Sequence, residues 1–202
     1  MKLFYSPLSP YVRKVMIVAH ELGLVDAIET VEGAGTPMAP NNDVVAANPV
    51  GRIPALVTDD AGTLVDSRVI CRYLNHRGGG NLYGSGAGEF PIIAREALAE
   101  GIADSSLLAA YEYRLRPEEI RYQPWIDGQR AKMMRGLKAF DDRIAEMDGD
   151  MTIDGVALIA AVGHIDYRHG DLGWRETCPA LAEWISGLAD RPSVAATAPP
   201  PA

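Results

Sequence analysis

Residues 48–74 read NPVGRIPALVTDDAGTLVDSRVICRYL and contain the signals that decide the fold of the first part of this chain. Two short apolar runs, 55–58 and 63–65, are separated by Asp-Asp-Ala-Gly, which is typical of a β-hairpin whose glycine takes the left-handed turn position. Asp66 and Ser67 follow, and an acidic residue with serine before helically spaced apolar residues indicates a helix start. The stretch therefore predicts a hairpin that leads directly into a helix.

Further strand and helix signals precede this stretch. Residues 2–5 and 27–31 have the composition of short strands, and residues 10–22 have apolar side chains at helical spacing, closed by Gly23. A helical turn is predicted over 43–47. The predicted order is β-α-β-α-β-β-α, which favours a small mixed sheet with helices on its faces.

The composition changes after residue 76. Six glycines and no helical or strand periodicity occur between His76 and Pro91, which is typical of a linker. The sequence therefore predicts a first domain over 1–76, a Gly-rich linker over 77–88 and an all-helical domain over 89–202. In the last part, the predicted helices are 90–113, 122–147, 153–168 and 179–189.

Composition and charge exclude several classes of protein. The chain has 202 residues and a formal net charge of -8, which disfavours nucleic acid as a partner because duplex binding needs a basic excess. Its start has no signal-peptide pattern, and its apolar runs are shorter than the ~20 residues that cross a bilayer. Cys71 and Cys178 are far apart and have no metal-ligand spacing. We expect a cytoplasmic protein with no membrane span and no metal site.

The stretch SPLSPYVRK, residues 6–14, allows two interpretations. Ser9 before Pro10 is typical of a helix N-cap followed by proline at the first helical position. A capping hydroxyl still has its own proton to donate, and a helix N-terminus favours anions and lowers the pKa of a nearby thiol. Ser6 could supply a second hydroxyl, but it precedes a proline and is assigned to the turn.

Two other stretches also have a structural and a functional interpretation. Pro54 is acceptable at the start of a strand with a trans bond, whereas a cis bond would turn the Ile53 backbone N–H and C=O outward, toward an extended peptide. Composition does not choose between them. Asp66 and Ser67 form either a simple helix cap or a site for a ligand carboxylate at the free amides of the helix.

Together, these stretches resemble the amino-terminal domain of the glutathione transferases, in particular bacterial members with serine at the start of the first helix. FYSPLSPYVRKV (4–15), NPVGRIPAL (48–56) and LVDSRVICRYL (64–74) carry the resemblance by their order and spacing. MTIDGVALIAAVGHIDYR (151–168) and PALAEWISGLADRPSVAATAPP (179–200) resemble the core and final helices of that family.

The resemblance implies an α/β thioredoxin-like amino-terminal domain followed by an all-α helical domain, with glutathione in the cleft between them. It implies that Ser9 donates to the glutathione sulfur and that Pro54 is a cis-proline. It also implies that the Ile53 main chain pairs with the cysteinyl part of glutathione and that Asp66 and Ser67 hold its γ-glutamyl end.

The activity implied is transfer of the glutathione thiolate to a small, hydrophobic electrophile, as a homodimer with a role in detoxification. One alternative is a non-catalytic glutathione-binding or interaction module, because a fold does not define a function. Another is a glutathione-dependent peroxidase or reductase. Thiol-disulfide exchange is disfavoured, because that chemistry needs a low-pKa cysteine where this chain has Ser9.

Two further expectations concern residues outside that site. Arg13 and Lys14 are predicted to be surface charges of an amphipathic helix. His20, His76, His164 and His169 form no local ligand pattern, so each is interpreted as a surface or core histidine.

The start of the predicted helix at 153 departs from the capping box of the family. In a capping box, the acid lies three residues after the serine or threonine. Here Asp154 lies only two residues after Thr152, and Gly155 occupies the position of the acid. We expect either a variant cap or a weaker helix start, and on this basis Gly155→Asp would raise the melting temperature.

Overall fold

In the computed structural model, which describes residues 1–147 and 149–200, four short strands form one sheet in the order β2-β1-β3-β4. The strands are β1 Lys2–Tyr5, β2 Glu29–Glu32, β3 Ala55–Val57 and β4 Thr63–Val65. The β1–β2 pair is parallel, and the β1–β3 and β3–β4 pairs are antiparallel. The hairpin between β3 and β4 is confirmed, with Gly62 at a positive φ of 69°.

Three helices accompany these strands and complete the predicted order. They are α1 Pro10–Glu21, α2 Asn42–Ala47 and α3 Ser67–Arg77. The apolar stripe of α1 is buried, and this helix packs against α3. Gly23 follows α1 with a φ of 64°, as expected of the residue that closes a helix.

The part of the chain from Tyr83 to Arg191 forms a second compact unit, which is helical. Its helices are α4 Glu89–Leu115, α5 Gln123–Asp141, α6 Ile153–Arg168, α7 Trp174–Thr177 and α8 Pro179–Gly187. Gly136 lets α5 approach α4 closely, because a Cβ there would lie 2.5 Å from the Ile102 side chain. In the described ranges, none of the helices is long and apolar enough to cross a membrane.

The prediction of one continuous helix over 122–147 is wrong. The α-helix α5 ends at Asp141, and a separate 3-10 helix spans Ile144–Met147. Met147 is buried in that short helix, so the apolar spacing continues across the break. Spacing alone therefore did not reveal where the α-helix ends.

A last helix, α9 Pro192–Ala195, packs against α1, and the first compact unit comprises Met1–Leu82 together with Pro192–Pro200. The sequence-based division placed this final segment in the helical domain. Ser193 donates a hydrogen bond to the Glu21 carboxylate, and the Arg13 guanidinium donates to the Val194 carbonyl at 3.4 Å. The C-terminal segment is therefore bound to α1 by polar contacts.

The prediction that Arg13 and Lys14 are surface charges is wrong. Arg13 is 9% exposed and Lys14 is 1% exposed. Helical periodicity placed both residues outside the apolar stripe, but residues 192–200 return from far along the chain to pack on this helix. Burial of Arg13 therefore depends partly on a contact that no local pattern contains.

Helix α6 begins at Ile153 as predicted, but the Asp154 carboxylate bonds to a side chain of the neighbouring helix α4. Thr152 makes no side-chain cap bond and donates its hydroxyl proton to Asp154 Oδ1 at 2.5 Å. Arg95 Nε of α4 donates to Asp154 Oδ2 at 2.6 Å, and Asp154 is fully buried. The early acid therefore binds α6 to α4, and the variant cap that the sequence allowed is not formed by the Thr152 side chain.

Gly155 is buried beside this ion pair. A Cβ at this position would lie 3.1 Å from Met151 Sδ and 3.4 Å from the Trp184 ring. An aspartate there would place a second carboxylate among apolar atoms. The structure thus reverses the expectation that Gly155→Asp is stabilising.

We expect Gly155→Asp to lower the free energy of unfolding by about 2 kcal/mol or more, because it buries an unpaired charge. Gly155→Ala is the matched control: it gains up to about 1 kcal/mol of helix propensity and requires only a small shift of the flexible Met151 side chain. Urea denaturation of both variants checks the prediction. An aspartate variant as stable as the alanine variant would contradict it.

Two histidines of the helical unit are core residues. The Ser106 hydroxyl and His164 Nδ1 are hydrogen-bonded at 2.7 Å, and the His169 Nε2–H donates to the Ser106 carbonyl at 2.9 Å. Burial lowers the pKa of His164 to about 3, and burial also lowers the pKa of His169. Both side chains are therefore neutral at neutral pH, and they connect α6 to the middle of α4.

The lowered pKa of His164 makes stability depend on pH. Between the ordinary pKa of 6.5 and about 3, the unfolded chain binds a proton that the folded chain does not, so stability falls as the pH is lowered through that range. This one group contributes a slope of at most about 1.4 kcal/mol per pH unit. His164→Asn, which retains a polar atom near the Nδ1 position, should reduce that slope in denaturation series between about pH 4 and pH 7. An unchanged slope would contradict the assignment.

Candidate functional site

Three predicted stretches lie at one edge of the sheet in the first unit. Phe4 pairs with Ala55, and Ala55 pairs with Val65. The C-terminal end of β1, the N-terminal end of β3 and the C-terminal end of β4 therefore lie side by side. We call this the active edge, and the candidate residues within four positions of these strand ends are Ser9, Ile53, Pro54, Asp66 and Ser67.

Ser9 is the N-cap of α1, so its capping role is confirmed. It has extended backbone angles, its Oγ accepts a hydrogen bond from the Val12 N–H at 3.3 Å, and Pro10 is the first helical residue. In the described part of the chain, no acceptor takes the Ser9 hydroxyl proton. The same hydroxyl can cap the helix and donate to a ligand, because a hydroxyl both accepts and donates.

The Ile53–Pro54 peptide bond is cis, as the resemblance implied. The Ile53 side chain packs against Phe4, Val44 and Ala55. Its backbone N–H and C=O make no hydrogen bond with any residue that the structure describes. Ile53 is thus held by its side chain while its backbone groups remain available.

Asn48 positions the loop that leads to this bond. Its Nδ2 donates to the Arg52 carbonyl at 2.8 Å, and its Oδ1 accepts from the Val50 N–H at 3.1 Å. The side chain is buried. The sequence analysis did not select Asn48, although an asparagine before Pro49 is a recognisable turn signal.

Gly33 follows β2 and lies against both β1 and Ile53. Its N–H donates to the Tyr5 carbonyl at 2.8 Å. A Cβ at this position would lie 2.9 Å from Ile53 Cγ2 and 3.0 Å from the Tyr5 backbone nitrogen. Glycine is therefore required here, because the backbone passes too close to β1 and Ile53 for a Cβ atom. The sequence analysis assigned this residue only to a loop.

Asp66 has a positive φ of 72° with ψ of 127°, a conformation that costs a non-glycine residue about 1–3 kcal/mol. Its carboxylate accepts a hydrogen bond from the Arg68 N–H at 2.9 Å and so caps α3. Ser67 is the first residue of α3 and is buried. The predicted helix start is confirmed.

Arg68 is a residue of this edge that the sequence analysis missed. Its Nε and Nη2 donate to the two oxygens of the Asp66 carboxylate at 3.1 and 2.8 Å. These hydrogen bonds hold the pKa of Asp66 below its usual value. With the backbone bond, three of about four acceptor positions of the carboxylate are in use, which leaves room for one more donor.

The comparisons with known proteins agree with this geometry. Residues 8–77 match the model of the glutathione S-transferase N-terminal domain. The chain is 31% identical to the GST-like protein YibF of Escherichia coli, and the alignment covers 100% of both chains. The chain belongs to the glutathione transferase family.

Two solved structures of a glutathione transferase family member from Pseudomonas fluorescens Pf-5 extend the likeness to the whole chain. One has bound glutathione, 39% identity, a TM-score of 0.95 and coverage of 99% of each chain. The other has bound S-(propanoic acid)-glutathione, 38% identity, a TM-score of 0.90 and coverage of 100% of each chain. The expected glutathione transferase fold, thioredoxin-like and then helical, is confirmed.

In this member of the glutathione transferase family, we expect Gly33→Ala to lower the free energy of unfolding by about 1–3 kcal/mol, because the added methyl group meets backbone that cannot move away. Gly101→Ala is the matched control, since a Cβ there meets nothing within 4 Å. Thermal and urea unfolding measure both variants. A Gly33→Ala protein as stable as wild type would contradict the packing argument.

Proposed function

We propose that this chain is an enzyme that transfers the glutathione thiolate to a small, hydrophobic electrophile. The observation that carries the proposal is the active edge, where the Ser9 hydroxyl, the Ile53 backbone and the start of α3 lie at adjacent strand ends. The bound glutathione of the Pseudomonas fluorescens protein supports it. The sulfur-substituted glutathione in the second structure supports an S-conjugate as product.

The binding residues follow from the chemistry of the tripeptide. The Ile53 N–H and C=O are a donor and an acceptor for the cysteinyl backbone, in the manner of an added strand. The remaining acceptor position of the Asp66 carboxylate suits the γ-glutamyl ammonium. Ser67 and the amides of the first turn of α3 suit the γ-glutamyl carboxylate, because helix N-termini bind anions.

Ser9 is the proposed catalytic residue. A free thiol has a pKa near ~8.5 and is mostly protonated at neutral pH. A hydroxyl that donates to the sulfur, at the N-terminus of α1, stabilises the thiolate over the thiol and lowers that pKa. The thiolate attacks the electrophilic carbon, a C–S bond forms, and the leaving group departs with the electron pair of the bond that breaks.

Serine at this position favours conjugation over thiol-disulfide exchange. Both cysteines, Cys71 and Cys178, are buried, and burial raises the pKa of the Cys178 thiol. Neither therefore resembles the exposed, acidic cysteine that exchange requires. An activity assay distinguishes this enzyme from a non-catalytic glutathione-binding module. Family membership supports a cytoplasmic homodimer with a role in detoxification as further parts of the proposal.

The decisive test compares three variants of the two neighbouring serines. Ser9→Gly keeps an acceptable N-cap residue but has no hydroxyl, whereas Ser9→Ala loses both, at a cost of about 1 kcal/mol of stability. We expect both to reduce kcat/KM with an aryl halide about tenfold to a hundredfold, because a hydrogen bond to a charged sulfur is lost. Ser6→Ala should retain activity.

The pH profile and a column assay complete this test. In Ser9→Gly, the apparent pKa of the bound thiol should rise toward that of free glutathione. Full activity in Ser9→Gly would reject the hydroxyl assignment. Failure of the wild-type protein to bind immobilised glutathione would reject the proposed function, and binding without turnover would identify the non-catalytic module.

A further inference from the structure

Lys14 is a buried cation in the helix that Ser9 caps. It is 1% exposed, although lysine is almost never fully buried unless it is paired. Its neighbours along the same face of α1, Pro10, Ile17 and Val18, are buried as well. An apolar side chain would fill this position with a smaller desolvation cost. The buried ammonium group therefore indicates a role beyond packing.

The position of Lys14 on α1 directs its side chain toward the start of the helix. Long side chains on a helix point back toward the N-terminus and lie over the residues three and four positions earlier. For Lys14 these are Tyr11 and Pro10, the first two residues of α1. Ser9, the N-cap, directly precedes them. The stem of Lys14 therefore runs toward the end of α1 that belongs to the active edge.

A carboxylate of the active edge lies within range of this charge. Asp66 caps the neighbouring helix α3, which packs against α1. Hydrogen bonds from Arg68 are the main cause of the lowered pKa of Asp66, and the charge of Lys14 also lowers it. The positive charge of Lys14 therefore acts at the active edge, where Ser9 caps the same helix that carries Lys14.

Lys14 is the most deeply buried of the charged groups around α1. Arg13, its neighbour, is 9% exposed and donates to the Val194 carbonyl of the C-terminal segment. Glu21 is at the far end of α1 and accepts from Ser193. The other charged residues on α1 and on the elements packed against it are half-buried or exposed: His20, Asp26, Asp66, Arg68, Arg72, His76 and Arg77. A buried charge is screened little by water and salt, so its effect extends farther than theirs.

We propose that the buried Lys14 ammonium stabilises the glutathione thiolate at the N-terminus of α1, in addition to the Ser9 hydroxyl. This inference rests on the proposed function, because it requires the glutathione sulfur to lie at Ser9. The thiol proton is released to solvent, and the negative charge that remains on sulfur is attracted by a fixed positive charge in a medium of low dielectric constant. Ser9 donates directly to the sulfur, whereas Lys14 acts through space from within the core of the first unit.

The pKa of the bound thiol, measured from the ultraviolet absorbance of the thiolate, tests this role. Lys14→Met keeps a long side chain and removes the charge. We expect it to raise the pKa of bound glutathione by about 0.5–1 unit, and so to lower the rate with an aryl halide at saturating glutathione about threefold to tenfold at pH values below both pKa values. Above the raised pKa the two rates should be similar, because the thiol is then ionised in both proteins.

Lys2→Met is the matched control. Lys2 is an exposed lysine at the start of β1, whereas the active edge lies at the end of that strand. Its replacement changes the net charge equally and should move the thiol pKa by less than about 0.2 unit, because solvent and salt screen an exposed charge. The difference between wild type and Lys14→Met should persist from about 50 mM to about 500 mM salt. A difference that disappears at high salt would contradict the action of a buried charge.

Two further variants separate the charge from the packing of this side chain. Lys14→Arg keeps the charge and should keep the thiol pKa near the wild-type value. Lys14→Gln is neutral but polar, and it gives the same readout as Lys14→Met where the methionine variant does not fold. A pKa in Lys14→Arg as high as in the neutral variants would overturn the proposal.

Binding of S-methylglutathione, measured by calorimetry, separates thiolate stabilisation from a general disturbance of the site. This analogue has the tripeptide backbone but no ionisable thiol, so Lys14→Met should bind it within about threefold of wild type. A larger loss of that affinity with no change in the thiol pKa would assign Lys14 a structural role and overturn the proposal. An unchanged thiol pKa in a neutral variant that binds glutathione would also overturn it and leave the proposed function intact. Failure of the wild-type protein to bind glutathione would reject the proposed function and this inference with it.

Discussion

The antiparallel pairing of β1 with β3, with Phe4 opposite Ala55, is the constraint on which the active edge depends. It places the loop after one strand beside the loop before the other, and β4 adds the start of α3 to the same edge. Gly33 is required there because its backbone approaches both β1 and Ile53 more closely than any side chain permits. A change in this register would separate Ser9 from Ile53 and Asp66, even with every site residue retained.

The groups of the active edge combine structural and chemical roles. Ser9 uses a lone pair to cap α1 and keeps its proton, and Ile53 uses its side chain for packing and keeps its backbone groups. Asp66 caps α3 and binds Arg68, and keeps one acceptor position. Each residue therefore holds the fold through one set of atoms and leaves another set available. This explains why the structural interpretation of each motif is correct and still leaves the functional one open.

Local patterns predicted the elements of the first unit well, because strand alternation, capping residues and glycine turns act over a few residues. The strand at 2–5, the hairpin and the helix start at Ser67 agree with the structure. The burial of Arg13 was not predicted by local patterns, because residues 192–200 pack on α1 from the opposite end of the sequence. Near the candidate site, Asn48, Gly33 and Arg68 were missed. At Gly33 and Arg68, a close backbone approach and a side-chain fork leave no periodic signal.

The helical unit shows how one displaced acid affects a distant feature. An aspartate in the box position of α6 would act on its own helix, whereas Asp154, one position earlier, binds Arg95 of α4. That buried pair and the Ser106–His164 bond set the two helices in one register along their length. The register decides that the C-terminal ends of α4 and α6 lie at the same end of the helix pair. The common end of the two helices is thus a consequence of polar contacts made one and several turns earlier.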